Sequence, residues 1–260
     1  MYTTHLTAGQ GMLDETDRLL QLWQQGMNAN ELGSLALEHG IFPAMSARRI
    51  KNVVSDCFAP RYLSNNGRPA EVLKKLSSKL QPLQWRQLQF VYTCRANEIL
   101  ADFVTEVYWG CYAAGKSNIT KDDAIEFVTR SSQDGKTAKL WSEGTINRIS
   151  GDLMGCCADF GLLAPIERSS KQRGDRPIIK YRVHPSIALI LCHELHFQPM
   201  GDNSVVGHPD WQLFGLGKSE VIEELRSLSL GGHFLVQSAG GVASISWKYG
   251  NIQEVIDVIH

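Results

Sequence analysis

The first 63 residues combine helical hydrophobic patterns with turn residues. A first helical pattern ends at Gly26, and Asn30 is a suitable N-cap for a second helix that ends at Gly40. Ser46 is a suitable N-cap for a third helix, SARRIKNVVSDCF, whose inward positions are expected to be Ile50, Val53, Val54 and Cys57. Three short helices with a basic start to the third are typical of a helix-turn-helix, although helical bundles share this outline.

The next part of the chain is more continuously helical. SNNGRP, at 64–69, predicts a flexible break, after which AEVLKKLSSKL has one apolar and one lysine-rich face. A longer pattern over about 83–114 is apolar on most sides. A helix with this pattern is buried, so we expect it to be the central strut of the protein.

Residues 119–183 predict a winged-helix unit. Thr120 and Ser142 are suitable N-caps for two successive helices, and Gly161 ends the second. LLAPIERSSKQRGDRPIIKYRV follows, in which two β-prone runs flank a polar, basic tip. A helix, a turn, a second helix and a basic hairpin form the winged-helix layout.

The tail repeats the scheme of a helix followed by a hairpin, but without basic charge. An apolar helix is expected at 185–197, and Ser219 is expected to cap another helix before the hairpin GGHFLVQSAG–GVASISWKYG and a short final helix. We interpret this tail as a packing or protein-contact module.

The predicted fold class is therefore mainly α, with two β-hairpins. Its predicted segments are a helix-turn-helix-like domain at 1–68, a helical strut at 69–118, a winged helix at 119–200 and a small α+β module at 201–260.

Charge changes this picture, because it is segregated along the chain. The net charge is only −1, but residues 46–86 carry +7 and residues 130–182 carry +4, whereas residues 183–260 carry −5. Basic faces attract a polyanion even when the whole protein is near neutral. Solvated helices also carry such charges by chance, and that reading stays open.

Three groups of residues are candidates for contacts with double-stranded DNA. Arg and Lys side chains neutralise phosphates, and Arg and Asn also bond to guanine and adenine edges. The candidates are Arg48, Arg49 and Lys51 on the third helix, Thr145, Asn147 and Arg148 on the predicted recognition helix, and Arg168, Lys171, Arg173, Arg176 and Lys180 around the wing. Gly151 and Asp152 are expected on the exposed recognition face, where a carboxylate repels phosphate, so we predict little sequence preference. The alternative for the wing is a surface hairpin kept soluble by its charges.

Signals for an enzyme are weak. The chain has no P-loop, no GxGxxG after a strand and no GxSxG. HELH at 193–196 is not the HExxH motif, so we interpret His193 and His196 as helix residues beside the core rather than metal ligands. We predict a non-catalytic protein with no cofactor, no bound metal and no small-molecule substrate.

The remaining features indicate a soluble cytoplasmic protein. The N-terminus has no signal-peptide pattern, and no apolar run approaches the ~20 residues that a membrane span requires. The six cysteines are scattered within apolar patterns, so we expect them to be reduced core residues.

Several segments together resemble the BREX phage-defence protein A (BrxA) family. They are MSARRIKNVVSDCFAPRYL (45–63), ANEILADFVTEVY (96–108), ITKDDAIEFV (119–128), WSEGTINRISGDL (141–153), DWQLFGL (210–216) and GGHFLVQSAGGVASISW (231–247). The resemblance implies an accessory component of a bacterial system that methylates host DNA and blocks phage replication. It also implies binding of double-stranded DNA and association with other proteins of that system. A protein–protein scaffold and an RNA-binding helical protein are the alternatives.

Overall fold

Helices of the mainly α chain group into two units, each built from separate stretches of sequence. A computed structural model of the protein describes residues 1–165 and 174–259. The first unit comprises Met1–Lys74 and Gln89–Tyr181, and the second comprises Lys75–Leu88 and Arg182–His260. The mainly helical class with two small antiparallel sheets is confirmed. The four consecutive segments expected from the sequence stay a prediction.

Helices begin the first unit, after a 3₁₀ turn at His5–Ala8. They are α1 (Leu13–Leu22), α2 (Ala29–Glu38), α3 (Ala47–Asn52), α4 (Ala59–Tyr62) and α5 (Ser64–Leu76). The N-cap of α2 is Asn28 and not Asn30, because the Asn28 side chain accepts from the backbone of Glu31 while the Glu31 carboxylate accepts from the Asn28 N–H. This capping box stabilises a start two residues earlier than predicted.

The third predicted helix is confirmed and extends further than expected. Ser46 caps α3 by accepting from the Arg49 N–H, and a π-helical turn at Val53–Phe58 joins α3 to α4. The predicted inward side chains are all buried: Ile50, Val53, Val54 and Cys57.

The predicted break at 64–69 is a sharp bend between α4 and the regular part of α5. Asn65, Asn66 and Gly67 have left-handed backbone conformations. A Cβ on Gly67 would lie 2.6 Å from the Trp23 ring, so glycine fits both the positive φ and the close approach of the indole.

The prediction of one long helix over 83–114 is wrong, because the helix breaks at Asn97. Its parts are α6 (Pro82–Ala96), α7 (Glu98–Asp102), a π-helical turn (Phe103–Tyr108) and α8 (Trp109–Ala113). Asn97 has φ −137° and ψ 87°, and its side chain donates to the Thr93 carbonyl at the end of α6. The predicted burial is confirmed for most of the apolar positions, including Phe90, Leu100 and Phe103.

A small antiparallel sheet completes the first unit. The remaining elements of the first unit are β1 (Asn118–Ile119), α9 (Lys121–Gln133), α10 (Glu143–Asp159) and β2 (Arg176–Pro177), and β1 and β2 form the sheet. Thr120 caps α9 and Ser142 caps α10, as predicted. Asn118 pairs with Pro177, and Leu163 forms an antiparallel bridge with Ile178. The returning segment at 176–178 therefore lies between β1 and residues 162–164.

The second unit has a helical base and a longer hairpin. Its elements from the C-terminal stretch are α11 (Pro185–His196), α12 (Asp202–Val206), a 3₁₀ turn (Pro209–Phe214), α13 (Lys218–Ser229), β3 (Phe234–Ala239), β4 (Val242–Trp247) and α14 (Ile252–Asp257). The predicted apolar helix, hairpin and final helix are confirmed. The N-cap of α13 is Gly217, so the prediction of Ser219 as the cap is wrong.

All six cysteines are free and buried, as expected for core residues. Within residues 1–165 and 174–259, no helix combines the length and the apolar character that a membrane crossing requires.

Candidate nucleic-acid interface

The first two turns of α10 present the predicted base-reading residues. Ser142 Oγ accepts from the Thr145 N–H at 3.3 Å, while Ile149 and Leu153 face the core. Arg148 is exposed, and Asn147 is half-buried with its Nδ2 donating to the Glu143 carbonyl at 3.1 Å. Arg148 is therefore open to a ligand, whereas the Asn147 amide is partly used within its own helix.

The N-terminal segment packs against the later turns of α10. Gln10 Nε2 donates to Asp152 Oδ1 at 3.1 Å, and the Gly11 N–H donates to Asp159 Oδ2 at 2.9 Å. A Cβ on Gly155 would lie 2.3 Å from Gln10 Oε1. Asp152 is half-buried, so the expectation that it belongs to an exposed recognition face is wrong.

Three of the five candidate residues around the wing, Arg168, Lys171 and Arg173, lie outside the described residues. Arg176 is half-buried in β2, where its Nη1 donates to the Ala164 carbonyl at 3.4 Å. Burial lowers the pKa of the Arg176 guanidinium below its ordinary value. Arg176 thus lies at the base of the predicted wing and not at its tip.

Lys180 is exposed just after this sheet. The preceding residue is anchored, because the Tyr108 hydroxyl donates to the Ile179 carbonyl at 2.5 Å. This bond ties the returning segment to the helical core and fixes where the Lys180 backbone lies.

The basic helix α3 places its cations outward. Arg48, Arg49 and Lys51 are all exposed, and the intervening Ile50 is buried. These side chains are free of the core, which is the arrangement that phosphate contacts require.

The N-terminal segment packs between the helix that begins with α3 and the helix α10. The 3₁₀ turn at His5–Ala8 packs against both the Val53–Phe58 turn and α10. Arg61 is buried and donates to the carbonyls of Gly9 and Gly11, at 2.6 and 3.3 Å. Every described candidate, from Arg48 to Lys180, belongs to the first unit.

Two further lysines, Lys121 and Lys139, are exposed near the candidate residues although the sequence did not indicate them. The Lys121 N–H donates to Asp175 Oδ1 at 3.2 Å, and a Cβ on Gly174 would lie 3.1 Å from the Lys121 Cβ. Lys121 therefore lies beside the base of the wing. Lys139 lies in the turn that leads into α10. Both lysines lie close to the predicted starts of α9 and α10 in the sequence, and this proximity could have identified them as candidates.

Other bases of this unit are paired with acids. Lys116 lies 3.1 Å from Asp123, and Arg130 lies 2.8 Å from Glu106. Lys136 lies 3.0 Å from Asp102 and also donates to the Tyr2 hydroxyl. These pairs reduce the local positive charge, whereas the cations of α3, Arg148 and Lys180 are exposed.

The histidines of HELH lie in an aromatic cluster of the second unit. His193 is buried, with Nδ1 2.8 Å from the Leu189 carbonyl oxygen, and the His196 ring stacks on Trp247 at 4.1 Å. Burial lowers the pKa of His193 to about 4. In the part of the chain that the structure describes, no three His, Cys, Asp or Glu side chains form a group suited to a metal ion.

Comparisons with known proteins identify a family. No curated protein matches the chain. The chain is similar to the crystal structure of an uncharacterized protein from Magnetospirillum magneticum, with 14% identity, a TM-score of 0.48, and coverage of 75% of this chain and 94% of that one. The family model described as BrxA matches residues 1–191. The resemblance noted in the sequence is thus confirmed, and the chain belongs to the BrxA family.

Proposed function

We propose that this protein binds double-stranded DNA through its first unit, with little sequence preference and without catalysis. The observation that carries this proposal is the order and pairing of elements around α10. The helix ending with α8 is followed by β1, α9, α10, the segment 162–164 and the returning strand at 176–178. This order, with the returning strand in the middle of the sheet, matches a winged helix in which α10 is the recognition helix.

The exposed chemistry at this unit supports a polyanionic ligand. Arg48, Arg49, Lys51, Arg148 and Lys180 are exposed cations. Each cation that neutralises a phosphate releases condensed counterions, which favours association at physiological salt. Asp152 faces the N-terminal segment, so its carboxylate does not oppose a phosphate as the sequence had suggested.

Limited base reading supports the expected lack of sequence preference. The open part of α10 has one exposed residue suited to bidentate contacts, Arg148, because the Asn147 amide already donates to its own helix. Contacts to the phosphate backbone position a protein on the duplex but carry no sequence information. Binding therefore rests mainly on Arg and Lys contacts to the backbone.

Family membership places the chain with BREX phage defence. We propose that it acts in the cytoplasm as an accessory protein, bound to DNA and to other proteins of the same system. RNA is the less favoured ligand, because the deep, narrow major groove of A-form helices does not admit a recognition helix.

Fluorescence anisotropy with two unrelated 20-base-pair duplexes and one RNA hairpin tests this proposal. We expect similar affinities for both duplexes, weaker binding to RNA, and a linear fall of log K with log salt concentration. A duplex preference above ~10³-fold would contradict the lack of specificity. No binding to either duplex at low salt would overturn the proposal in favour of a scaffold.

A further inference from the structure

The two edges of the β3–β4 hairpin in the second unit differ in how their backbone groups are satisfied. On the β4 edge, the Ala243 N–H donates to Asn203 Oδ1 at 3.1 Å and the Ile245 N–H donates to Asp202 Oδ2 at 2.8 Å. Asn203 Nδ2 also donates to the Ala243 carbonyl at 3.3 Å. The start of α12 therefore covers this edge.

In the described part of the chain, the outward backbone groups of β3 have no comparable partner, although α13 packs against this strand and its Arg226 Nη2 donates to Ser238 Oγ. Gly240 and Gly241 both have positive φ, as a two-residue hairpin turn requires, and Ala239 pairs with Val242. Backbone groups that point away from the partner strand then belong to alternate residues, Phe234, Val236 and Ser238. Among residues 1–165 and 174–259, none bonds to these N–H and C=O groups.

The surroundings of this edge suit an extended peptide. All six residues of β3 are uncharged, and Leu235 is 66% exposed on the outer face. Strand edges that must avoid pairing normally carry charges, proline or a bulge. A groove of about 390 Å³ lies between α13 and the hairpin, lined by Lys218, Ser219, Ile222, Glu223, Ser238 and Gly241. A side chain of an added strand has room in this groove.

We propose that a basic, extended segment of a partner protein adds to β3 as a third strand of this sheet. Backbone hydrogen bonds supply the affinity of such strand addition, and alternate side chains supply its specificity. Residues 183–260 carry a net charge of −5. On α13, Glu223 lines the groove and pairs with Arg226, which bonds to Ser238. Glu220 and Glu224 add two further carboxylates to this helix. An apolar residue of the segment enters the groove, and its basic residues meet the carboxylates of α13.

Charge and size both favour a peptide over a second copy of the chain. Two copies would bring two acidic surfaces together, which costs free energy. A strand of six residues paired with its own copy also covers much less than the ~1,200 Å² of a stable interface.

An end-blocked eight-residue peptide of alternating valine and lysine is the probe, titrated against the full-length protein by calorimetry. N-methylation of the valine nitrogens in one version, and of the lysine nitrogens in another, blocks opposite backbone edges of the peptide. We expect the unmodified peptide to bind saturably. One of the two N-methylated peptides should bind at least about tenfold more weakly, and the other should keep the affinity of the unmodified peptide. A peptide with glutamate in place of lysine should also bind at least about tenfold more weakly.

The protein variant Val236→Pro removes one outward N–H and leaves the bonds between β3 and β4 in place. Lys248→Ala serves as its control, and circular dichroism checks the fold of both. Loss of peptide binding in V236P alone supports the proposal. Equal binding of both N-methylated peptides, or no binding of the unmodified peptide, overturns it. A wild-type dimer that V236P converts to a monomer in sedimentation equilibrium overturns it in favour of a second copy.

Discussion

The sheets of the two units differ in what they leave open to a ligand. In the first unit, the returning strand at 176–178 has β1 on one side and residues 162–164 on the other, so its backbone is enclosed. The cations beside this sheet and on the neighbouring helices remain exposed. In the second unit, β3 is uncharged and keeps one backbone edge open. A helix followed by a small sheet therefore yields a surface of charged side chains in one case and of backbone groups in the other.

The largest expected effect concerns the charged surface. Arg48→Ala, Arg49→Ala and Lys51→Ala together should lower DNA affinity about 100-fold at 0.15 M salt, if each side chain makes one phosphate contact. The slope of log K against log salt should decrease by up to ~3. The fold should persist, because these side chains are exposed. Anisotropy titrations over a range of salt concentrations measure both quantities.

Two further variants separate the basic helix from the wing base. Lys218→Ala with Lys248→Ala removes two exposed lysines of the second unit and should leave DNA affinity unchanged. Arg148→Ala with Lys180→Ala should weaken binding as the α3 variant does. If DNA affinity falls in the variant with Arg148→Ala and Lys180→Ala but not in the α3 variant, the cations of α3 are solvated and do not contact DNA. If neither the α3 variant nor the variant with Arg148→Ala and Lys180→Ala lowers DNA affinity, the proposed function is wrong.

The second expected effect is an acid sensitivity of the second unit. The pKa of His193 is about 4 because of burial, whereas an unfolded histidine titrates near pH 6.5. The unfolded chain therefore binds more protons between these values. Stability should be full above pH ~7 and decrease by roughly 3 kcal/mol as the pH falls towards 4. Urea unfolding followed by tryptophan fluorescence at several pH values measures this decrease.

Replacement of the imidazole provides the control for this acid sensitivity. His193→Phe fits among the rings of Phe234, Trp247 and Tyr249 and cannot titrate. It should remove most of the decrease, and the remainder arises partly from His196 and His233, whose pKa values burial also lowers. An unchanged pH dependence in the variant would assign the effect to other groups.

A smaller effect is expected at the covered edge of the hairpin. Asp202 accepts from the Ile245 N–H at 2.8 Å and from Trp247 Nε1 at 3.0 Å. Asp202→Ala should lower the free energy of unfolding by about 1 to 2 kcal/mol, because two donors lose their acceptor. Urea titration measures the change, with Asp257→Asn as an exposed control. A parallel loss of DNA affinity would argue against a DNA surface confined to the first unit.

The smallest expected effect concerns the cysteines. All six are free and buried, and burial raises the pKa of the Cys192 thiol well above its ordinary value. Reducing agent should leave Tm unchanged, and thiol reagents should label the native protein slowly and the unfolded protein at all six positions. A Tm lowered by several degrees in reducing agent would contradict their assignment as reduced core residues.

Local features of the fold were predictable from the sequence. Ser46, Thr120 and Ser142 cap their helices because each accepts a hydrogen bond from a backbone three residues ahead. Such contacts are visible in a short window of sequence. The hairpin at 234–247 was predictable for the same reason, since Gly-Gly between two alternating runs specifies a tight turn.

Features that depend on distant residues were not predictable in this way. Asn97 breaks a helix whose apolar pattern continues on both sides, so the pattern contains no stop signal. Asp152 meets Gln10 across 142 positions, and Arg61 reaches the Gly9 carbonyl across 52. Sequence spacing therefore placed Asp152 on an open face and did not distinguish Arg61 from the other bases of residues 46–86.

Hydrogen exchange with and without duplex DNA is the decisive test of DNA binding by the first unit, because it reports on both units in the native protein. On DNA binding, we expect slower exchange in α3, in the first turns of α10 and around Lys180, with no change in β3 and β4. Slower exchange confined to the β3–β4 hairpin, or no change anywhere at saturating DNA, would contradict it.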